Sequence, residues 1–263
     1  MGKSLLVQST TGVAIASGNE TAIFGASFYS ATEAHMQASC TEGATFSLLG
    51  ANIVAGNSGT ATFQFRDAGA NGSETFQITG TGTNEDATNS DVLSAADLFN
   101  IAYTDTGTNS TIGWLKANVA FASGHGCFHG AAGGSGTIYD AASETRFIPL
   151  GGALLNDGTT NEDQVEWKVR AYDTFEALQV RVGANARTND STFRNRINGA
   201  NGTGVITFGT GVTGLIEDTA IGDAIASGDT IDVSITLDTG VQDLGITLVI
   251  GTFKSSAGHS DAF

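Results

Sequence analysis

The stretch TFQFRDAGANG (residues 62–72) returns as TFRNRINGANG (residues 192–202), with seven of the eleven positions identical. Further matches lie at nearly the same separation of about 130 residues: Glu85-Asp86 with Glu217-Asp218, Asp91 with Asp223, Asp97 with Asp229, and Phe121 with Phe253. Small changes of separation are what short loop insertions leave between two copies of one module. The sequence therefore predicts a tandem duplication.

The composition favours strands over helices. The chain has 263 residues with 36 glycines, a single proline and only 14% charged residues, and it lacks the 3.6-residue apolar period of long helices. A period of two recurs instead, for example at 165–171, 178–182 and 231–237, where apolar and polar residues alternate. Such alternation is typical of antiparallel sheets with one buried face. We predict an all-β protein of two tandem antiparallel β-sandwich units, jelly-roll-like and related by internal duplication.

The duplication also predicts where the units begin and end. Residues 1–121 form the first β-sandwich unit with an N-terminal arm, residues 122–145 are a glycine-rich connector, and residues 146–263 form the second unit.

Charge and cysteine content exclude several functions. A formal net charge of −16 and only 11 basic residues argue against nucleic-acid binding and against docking on anionic membranes. The N-terminus lacks the apolar run of a signal peptide, and Cys40 and Cys127 do not make a disulfide framework. We expect a protein made in the cytoplasm and not secreted by a signal peptide.

One cluster has the residue types of a metal site. His125, Cys127 and His129 alternate, so an extended strand would turn all three side chains to one face. A single strand rarely supplies three tetrahedral ligands, and no fourth ligand is evident. The sequence favours a loop without metal, and we expect no cofactor.

The duplicated acidic residues allow two readings. Asp86/Asp218, Asp91/Asp223 and Asp97/Asp229 have the chemistry of calcium ligands, but no calcium-loop motif surrounds them. Aspartate also caps turns by accepting backbone N–H groups, and this structural role is favoured.

The duplicated arginines are the sharper candidates. Arg66 and Arg196 are retained in a chain with few arginines, which predicts a fixed ion pair or bidentate hydrogen bonds with a duplicated acid. The expected partners are Asp97/Asp229 or Asp86/Asp218, and a ligand-binding role is the alternative.

Catalytic motifs are missing from the sequence. The serines lack a Gly-x-Ser-x-Gly elbow, no helix follows a glycine-rich strand turn, and no pair of carboxylates stands in a recognisable catalytic frame. We expect a protein that is not an enzyme.

The second unit carries a set of motifs at residues 191–199, 205–207, 217–219 and 226–229, together with Gly214. This set resembles a β-sandwich module of structural proteins from tailed bacteriophages. The first unit is similar in Arg66, Gly69, Asp86 and Asp97, but Ala68 replaces the asparagine of the Asn-Gly turn. The resemblance covers roughly residues 46–121 and 165–253, and its motifs are turns and strands with no catalytic signature.

The resemblance implies a component of the virion. The expected function is that of a capsid decoration (cement) protein, with the major capsid protein or other virion proteins as partners and a homo-oligomer, for instance a trimer, as the assembled form. The alternative is a carbohydrate- or receptor-binding β-sandwich of a phage tail, a fibre or a bacterial surface. Sugar sites usually expose aromatic platforms, whereas Trp114 and Trp167 lie inside strand patterns and are predicted to be core residues.

Overall fold

A computed structural model describes residues 4–15, 18–22, 31–107, 109–122, 126–132, 138–150, 152–153, 158–169 and 172–255. Within these ranges the chain forms two compact units that meet in sequence between Gly126 and Cys127.

The first unit contains two sheets. Its strands are β1 (Ser4–Ile15), β2 (Gly18–Ala22), β3 (Ala38–Ser39), β4 (Ala44–Ala55), β5 (Thr60–Asp67), β6 (Ala70–Thr79), β7 (Gly82–Glu85), β8 (Ser90–Leu93), β9 (Leu98–Asp105) and β10 (Ser110–Phe121), with a 3-10 helix at Glu33–His35. One sheet has the order β1-β10-β4-β7, with β8 also on β4. The other has the order β2-β9-β5-β6, with β3 also on β9.

The second unit repeats this plan. Its strands are β11 (Gly126–Ala132), β12 (Ile138–Tyr139), β13 (Thr145–Ile148), β14 (Gly152–Ala153), β15 (Trp167–Lys168), β16 (Thr174–Asn185), β17 (Ser191–Ile197), β18 (Ala200–Phe208), β19 (Gly214–Asp218), β20 (Asp223–Ala224), β21 (Thr230–Thr236) and β22 (Leu244–Lys254), with a 3-10 helix at Glu162–Gln164. One sheet contains β11-β22-β16-β19 and the other β13-β21-β17-β18. Strands β20 and β15 occupy the places of β8 and β3.

The two sheets of each unit enclose a core. In the first unit, the Phe46 ring from one sheet lies 4.9 Å from Phe65 and 4.8 Å from Phe99 of the other, between ring centroids. In the second unit, residues from both sheets, such as Phe175 and Val233, join one buried cluster. Each unit is thus a β-sandwich, as the alternation and the duplication predict. The described strand pairs are antiparallel except for β11 and β14, which pair in parallel.

The structure differs from the sequence predictions in two segments. The predicted connector at 122–145 contains strands β11 and β12, which lie in a sheet of the second unit. Its small residues do not prevent pairing, because backbone hydrogen bonds hold a strand together without large side chains. The strand predicted at 165–171 is limited to Trp167–Lys168 within the described residues, and the 3-10 helix Glu162–Gln164 precedes it.

Among the described residues, none of the helices has the length and apolar character needed to cross a membrane.

Candidate functional site

The repeated stretch forms the same hairpin in each unit. Ala68-Gly69 joins β5 to β6 with φ of +48° and +83°, and Asn198-Gly199 joins β17 to β18 with φ of +49° and +75°. Positive φ at both central residues defines the tight turn that matches the twist of a hairpin and favours Asn-Gly. Ala68 occupies this conformation without the advantage that asparagine has.

An arginine braces the first hairpin. Arg66 donates from Nε to Glu33 Oε1 at 3.0 Å and from Nη2 to Glu33 Oε2 at 3.1 Å. The same guanidinium donates to Asn71 Oδ1 and to the Gly69 carbonyl in the turn. We call these four residues the unit 1 clamp. It ties the 3-10 helix at Glu33 to the tip of the hairpin.

The second hairpin has the equivalent unit 2 clamp. Arg196 donates to the two carboxylate oxygens of Glu162 at 2.8 and 2.9 Å, to Asn201 Oδ1 at 2.6 Å and to the Gly199 carbonyl. The hydrogen bonds from Arg196 hold the pKa of Glu162 below its usual value, and Glu162 in turn raises the pKa of Arg196. The Arg196 guanidinium carbon also lies 5.4 Å from the centroid of the Phe147 ring.

Both arginines form the predicted bidentate ion pair with an acidic residue, but the predicted partners are wrong. The partners are Glu33 and Glu162 instead of Asp97/Asp229 or Asp86/Asp218. The physical reason is that Asp97 and Asp229 each accept a backbone N–H within their own turn, from Ser94 and Ala226.

The other repeated aspartates also hold backbone. Asp86 accepts N–H bonds from Thr75, Thr88 and Asn89, and Asp218 accepts them from Val205 and Ala220. Asp91 accepts the backbone N–H of Ser73, and Asp223 accepts that of Thr203. A Cβ at Gly72 would lie 2.6 Å from an Asp91 carboxylate oxygen, which explains why the repeat needs glycine there.

Beside the unit 2 clamp lies a group of carboxylates that we call the acid triad: Glu162, Glu166 and Asp232. One oxygen of each lies within 4.8 Å of the others. Asp232 is 1% exposed, and its Oδ1 accepts no hydrogen bond from the described residues. Burial raises the pKa of Asp232 well above its usual value, and the neighbouring Glu162 adds to the rise. Three acids in this arrangement have the chemistry to hold a cation or to share a proton.

Sequence reasoning missed both glutamates of the clamps and the whole triad. Glu33 and Glu162 recur at nearly the separation of the arginines, but they stand outside the repeated stretch and their flanks differ. Asp232 belongs to an alternating strand, where a polar residue is expected to face water. The signal that could have identified the partners is this one glutamate, which occurs at the equivalent position of each copy.

The His125-Cys127-His129 cluster falls outside the part of the chain whose side chains the structure describes; the backbone of Cys127 and His129 lies in β11. Cys40 is a buried free thiol, and burial raises its pKa to about 12. A thiol with so high a pKa is protonated at neutral pH and is a poor nucleophile.

The tryptophans are half-buried rather than fully enclosed. Trp167 packs on the second core, with its ring centroid 5.6 Å from Phe253, and the Lys116 ammonium lies 5.7 Å from the Trp114 ring centroid. Both indoles have protein neighbours on at least part of their surface. Neither forms the isolated aromatic platform of a typical sugar site.

We expect the clamps to contribute to stability through geometry as well as charge. Arg196→Ala should lower the free energy of unfolding by about 1.5–3 kcal/mol, because it removes several charge-assisted hydrogen bonds at a largely buried pair. Arg196→Lys should recover little of this, because an ammonium cannot bind a carboxylate through two parallel bonds. Urea denaturation measures the effect. Lys254→Ala is the control, since its pair with Glu176 is more exposed and should contribute less than about 1 kcal/mol.

Equal losses for Arg196→Ala and Lys254→Ala, or full rescue by lysine, would contradict a bidentate clamp.

A second prediction concerns pH. Glu74 is fully buried, and burial raises its pKa to about 7. The folded state therefore keeps a proton that the unfolded chain loses, so this group's contribution to stability falls as pH rises from about 4.5 to about 7. Glu74→Gln retains an acceptor for the Leu49 N–H and should reduce the loss of stability between pH 5 and pH 8.

Urea denaturation at pH 5 and pH 8 measures this difference, with the exposed Glu217→Gln as the control. If Glu74→Gln and the wild type lose the same stability between these pH values, Glu74 does not titrate as described.

No protein-family model and no curated protein sequence matches the chain. Among solved structures, the ANX2 ectodomain from Arabidopsis thaliana is 12% identical, with a TM-score of 0.26 over 95% of this chain and 90% of that one. The ANXUR2 extracellular domain from the same plant is 10% identical, with a TM-score of 0.26 over 96% and 97%.

The insecticidal delta-endotoxin Cry8Ea1 from Bacillus thuringiensis is 9% identical, with a TM-score of 0.25 over 97% of this chain and 54% of the toxin. Because all three TM-scores are below 0.5, we infer nothing about fold or function from these similarities.

Proposed function

We propose that this chain is a non-enzymatic structural protein of a virus particle, most specifically a capsid decoration or cement protein of a tailed bacteriophage. It would stabilise the shell through contacts with the major capsid protein or other virion proteins. The observation that carries the proposal is the duplicated clamp, which fixes the same hairpin rigidly in both units. A chain with two copies of one braced element is suited to surroundings that themselves repeat.

The acidic residues that occur in both units support a structural role through their hydrogen bonds. The carboxylate oxygens of Asp86, Asp91 and Asp97 accept hydrogen bonds from backbone N–H groups of turns, as do those of their copies in the second unit. Hydrogen bonds from Asn89 and from the backbone of Thr75, Asn89 and Thr88 outweigh burial and lower the pKa of Asp86. A carboxylate committed in this way braces a loop and is not poised to transfer protons.

The acidic surface fits the same role. A net charge of −16 keeps a highly concentrated coat protein soluble before assembly and disfavours contact with the packaged nucleic acid. The proposal further includes synthesis in the host cytoplasm and a homo-oligomer, with a trimer at local threefold positions as the assembled form.

The direct test is binding to a shell. The chain is produced with the major capsid protein encoded by a neighbouring gene, and the assembled shells are separated by sedimentation. We expect the chain to sediment with the shells, its binding to reach saturation, and the melting temperature of the shells to rise. A chain that stays at the top of the gradient as a stable monomer would overturn the proposal.

A carbohydrate- or receptor-binding role in a tail, fibre or surface protein remains the alternative outcome. A glycan array separates the two, because a sugar-binding module gives reproducible signals that depend on an aromatic residue. The contacts of Trp167 with Tyr172 and Phe253 favour the structural role, since this ring packs against the protein core.

A further inference from the structure

Asp232 has a neutral counterpart in the first unit. In the paired strands, Asp232 stands opposite Arg196, and Asn100 stands opposite Arg66. Both side chains are buried, and the Oδ1 atom of each accepts no hydrogen bond from the described residues. The duplicated framework therefore holds an acid in one unit and an amide of the same shape at the same position of the other.

The second polar atom of each side chain is directed at a clamp glutamate. Asn100 donates from Nδ2 to the backbone carbonyl of Glu33 at 3.5 Å, and in the second unit a side-chain hydrogen bond joins Asp232 to Glu162. Both carboxylate oxygens of Glu162 also accept from Arg196, so Glu162 is the ionised member of the pair. Because a carboxylate only accepts, a hydrogen bond between two carboxyl groups needs a proton on one of them, and Asp232 is the donor.

The charges around Asp232 favour its protonated form. Glu162 on the 3-10 helix and Glu166 just before β15 each place an oxygen within 4.8 Å of an Asp232 oxygen. The cation opposite Asp232 is Arg196 on β17, which is bound to Glu162. Burial, together with the neighbouring Glu162, raises the pKa of Asp232 above its usual value.

Other charged groups lie farther along the strands. Arg194 of β17 and the exposed Lys168 of β15 stand opposite the positions two residues after and two residues before Asp232. From β13, the neighbouring side chain on this face is the uncharged Phe147. Among the described residues, neither Arg194 nor Lys168 forms an ion pair with Asp232, so the proton has no competing cation there.

We propose that Asp232 holds a proton in the folded protein, donates it to Glu162 and makes the unit 2 clamp sensitive to pH. Loss of the proton turns a buried hydrogen bond into a contact between two like charges. A carboxyl group with a raised pKa contributes stability that is complete below the usual aspartate pKa of about 3.9 and is lost as pH rises through the raised value. The unit 1 clamp lacks this dependence at the equivalent position, because Asn100 is neutral at every pH.

Urea denaturation at pH 5 and pH 9 tests the proposal, with Trp167 as the reporter of the second unit in a Trp114→Phe background. We expect the urea midpoint of this protein to fall by about 1 M between the two pH values. Adding Asp232→Asn should at least halve the fall, because the amide donates to Glu162 at both pH values. Adding Asp163→Asn is the matched control and should leave the fall unchanged, since Asp163 is exposed on the same 3-10 helix as Glu162.

Carboxyl carbon NMR of the otherwise unchanged chain measures the proton itself and does not depend on the folding of a variant. We expect the Asp232 carboxyl group to titrate above about pH 6, whereas an ordinary aspartate titrates near pH 3.9. Titration of Asp232 near pH 4 would overturn the proposal, as would an equal fall of the urea midpoint with and without Asp232→Asn. This inference is independent of the proposed function, since both measurements use the isolated chain without shells.

Discussion

Replacing Arg187 with alanine is expected to lower the free energy of unfolding of the second unit by about 3–5 kcal/mol. The Arg187 side chain is 0% exposed and pairs with Asp238, which is 4% exposed, at 3.0 Å. It also donates to the carbonyls of Tyr139 at 3.1 Å, Ala141 at 2.8 Å and Gly240. Its removal leaves a buried carboxylate without its cation and three backbone carbonyls without this donor.

The measurement uses the two tryptophans as reporters. In a Trp114→Phe background, urea-dependent fluorescence follows Trp167 and hence the second unit. Arg187→Met separates charge from volume, because it fills the space without donating hydrogen bonds and should remain strongly destabilising. Lys254→Ala is the control, since Lys254 also lies in the second unit and its partly exposed pair with Glu176 should contribute less than about 1 kcal/mol. A loss below about 1 kcal/mol for Arg187→Ala would contradict the structure around this residue.

The second large effect is expected at Phe46. This ring is 0% exposed and bridges the two sheets of the first unit through Phe65 and Phe99. Phe46→Ala should cost about 3–5 kcal/mol, because it removes a buried aromatic side chain and leaves a cavity between the sheets. Fluorescence of Trp114 in a Trp167→Phe background reports this unit.

Val92→Ala is the control for Phe46→Ala, because Val92 is 73% exposed and should change stability by less than about 0.5 kcal/mol. Similar losses for the two variants would mean that Phe46 does not join the sheets.

The sequence was sufficient for the fold class because two signals were periodic. Alternation at 231–237 appears as strand β21, and the repeated stretch at 62–72 and 192–202 appears as one hairpin built twice. Both depend on neighbours in the chain, which a sequence displays directly. The alternation at 165–171 predicted a longer strand than the structure has. Val165 and Val169 are buried on either side of the two-residue strand, so the apolar period extends beyond the residues that pair with a neighbouring strand.

The candidate site was only partly predictable. The importance of Arg66 and Arg196 followed from their repetition, but their partners Glu33 and Glu162 lie more than thirty residues earlier in the chain. Strand pairing alone brings Asp232 opposite Arg196, and burial alone distinguishes it from an ordinary exposed aspartate. Long-range pairing and burial are properties of the folded chain, which is why the acid triad was found only in the structure.

We have proposed that this chain is a structural component of a virus particle. Mass spectrometry of virions purified from lysates of cells that carry the gene, after washing with nuclease and high salt, is the most direct test. We expect peptides from both units, present in many copies relative to the major capsid protein and lost when the gene is disrupted. Absence of these peptides from intact virions, while the chain accumulates in the infected cell, would contradict it.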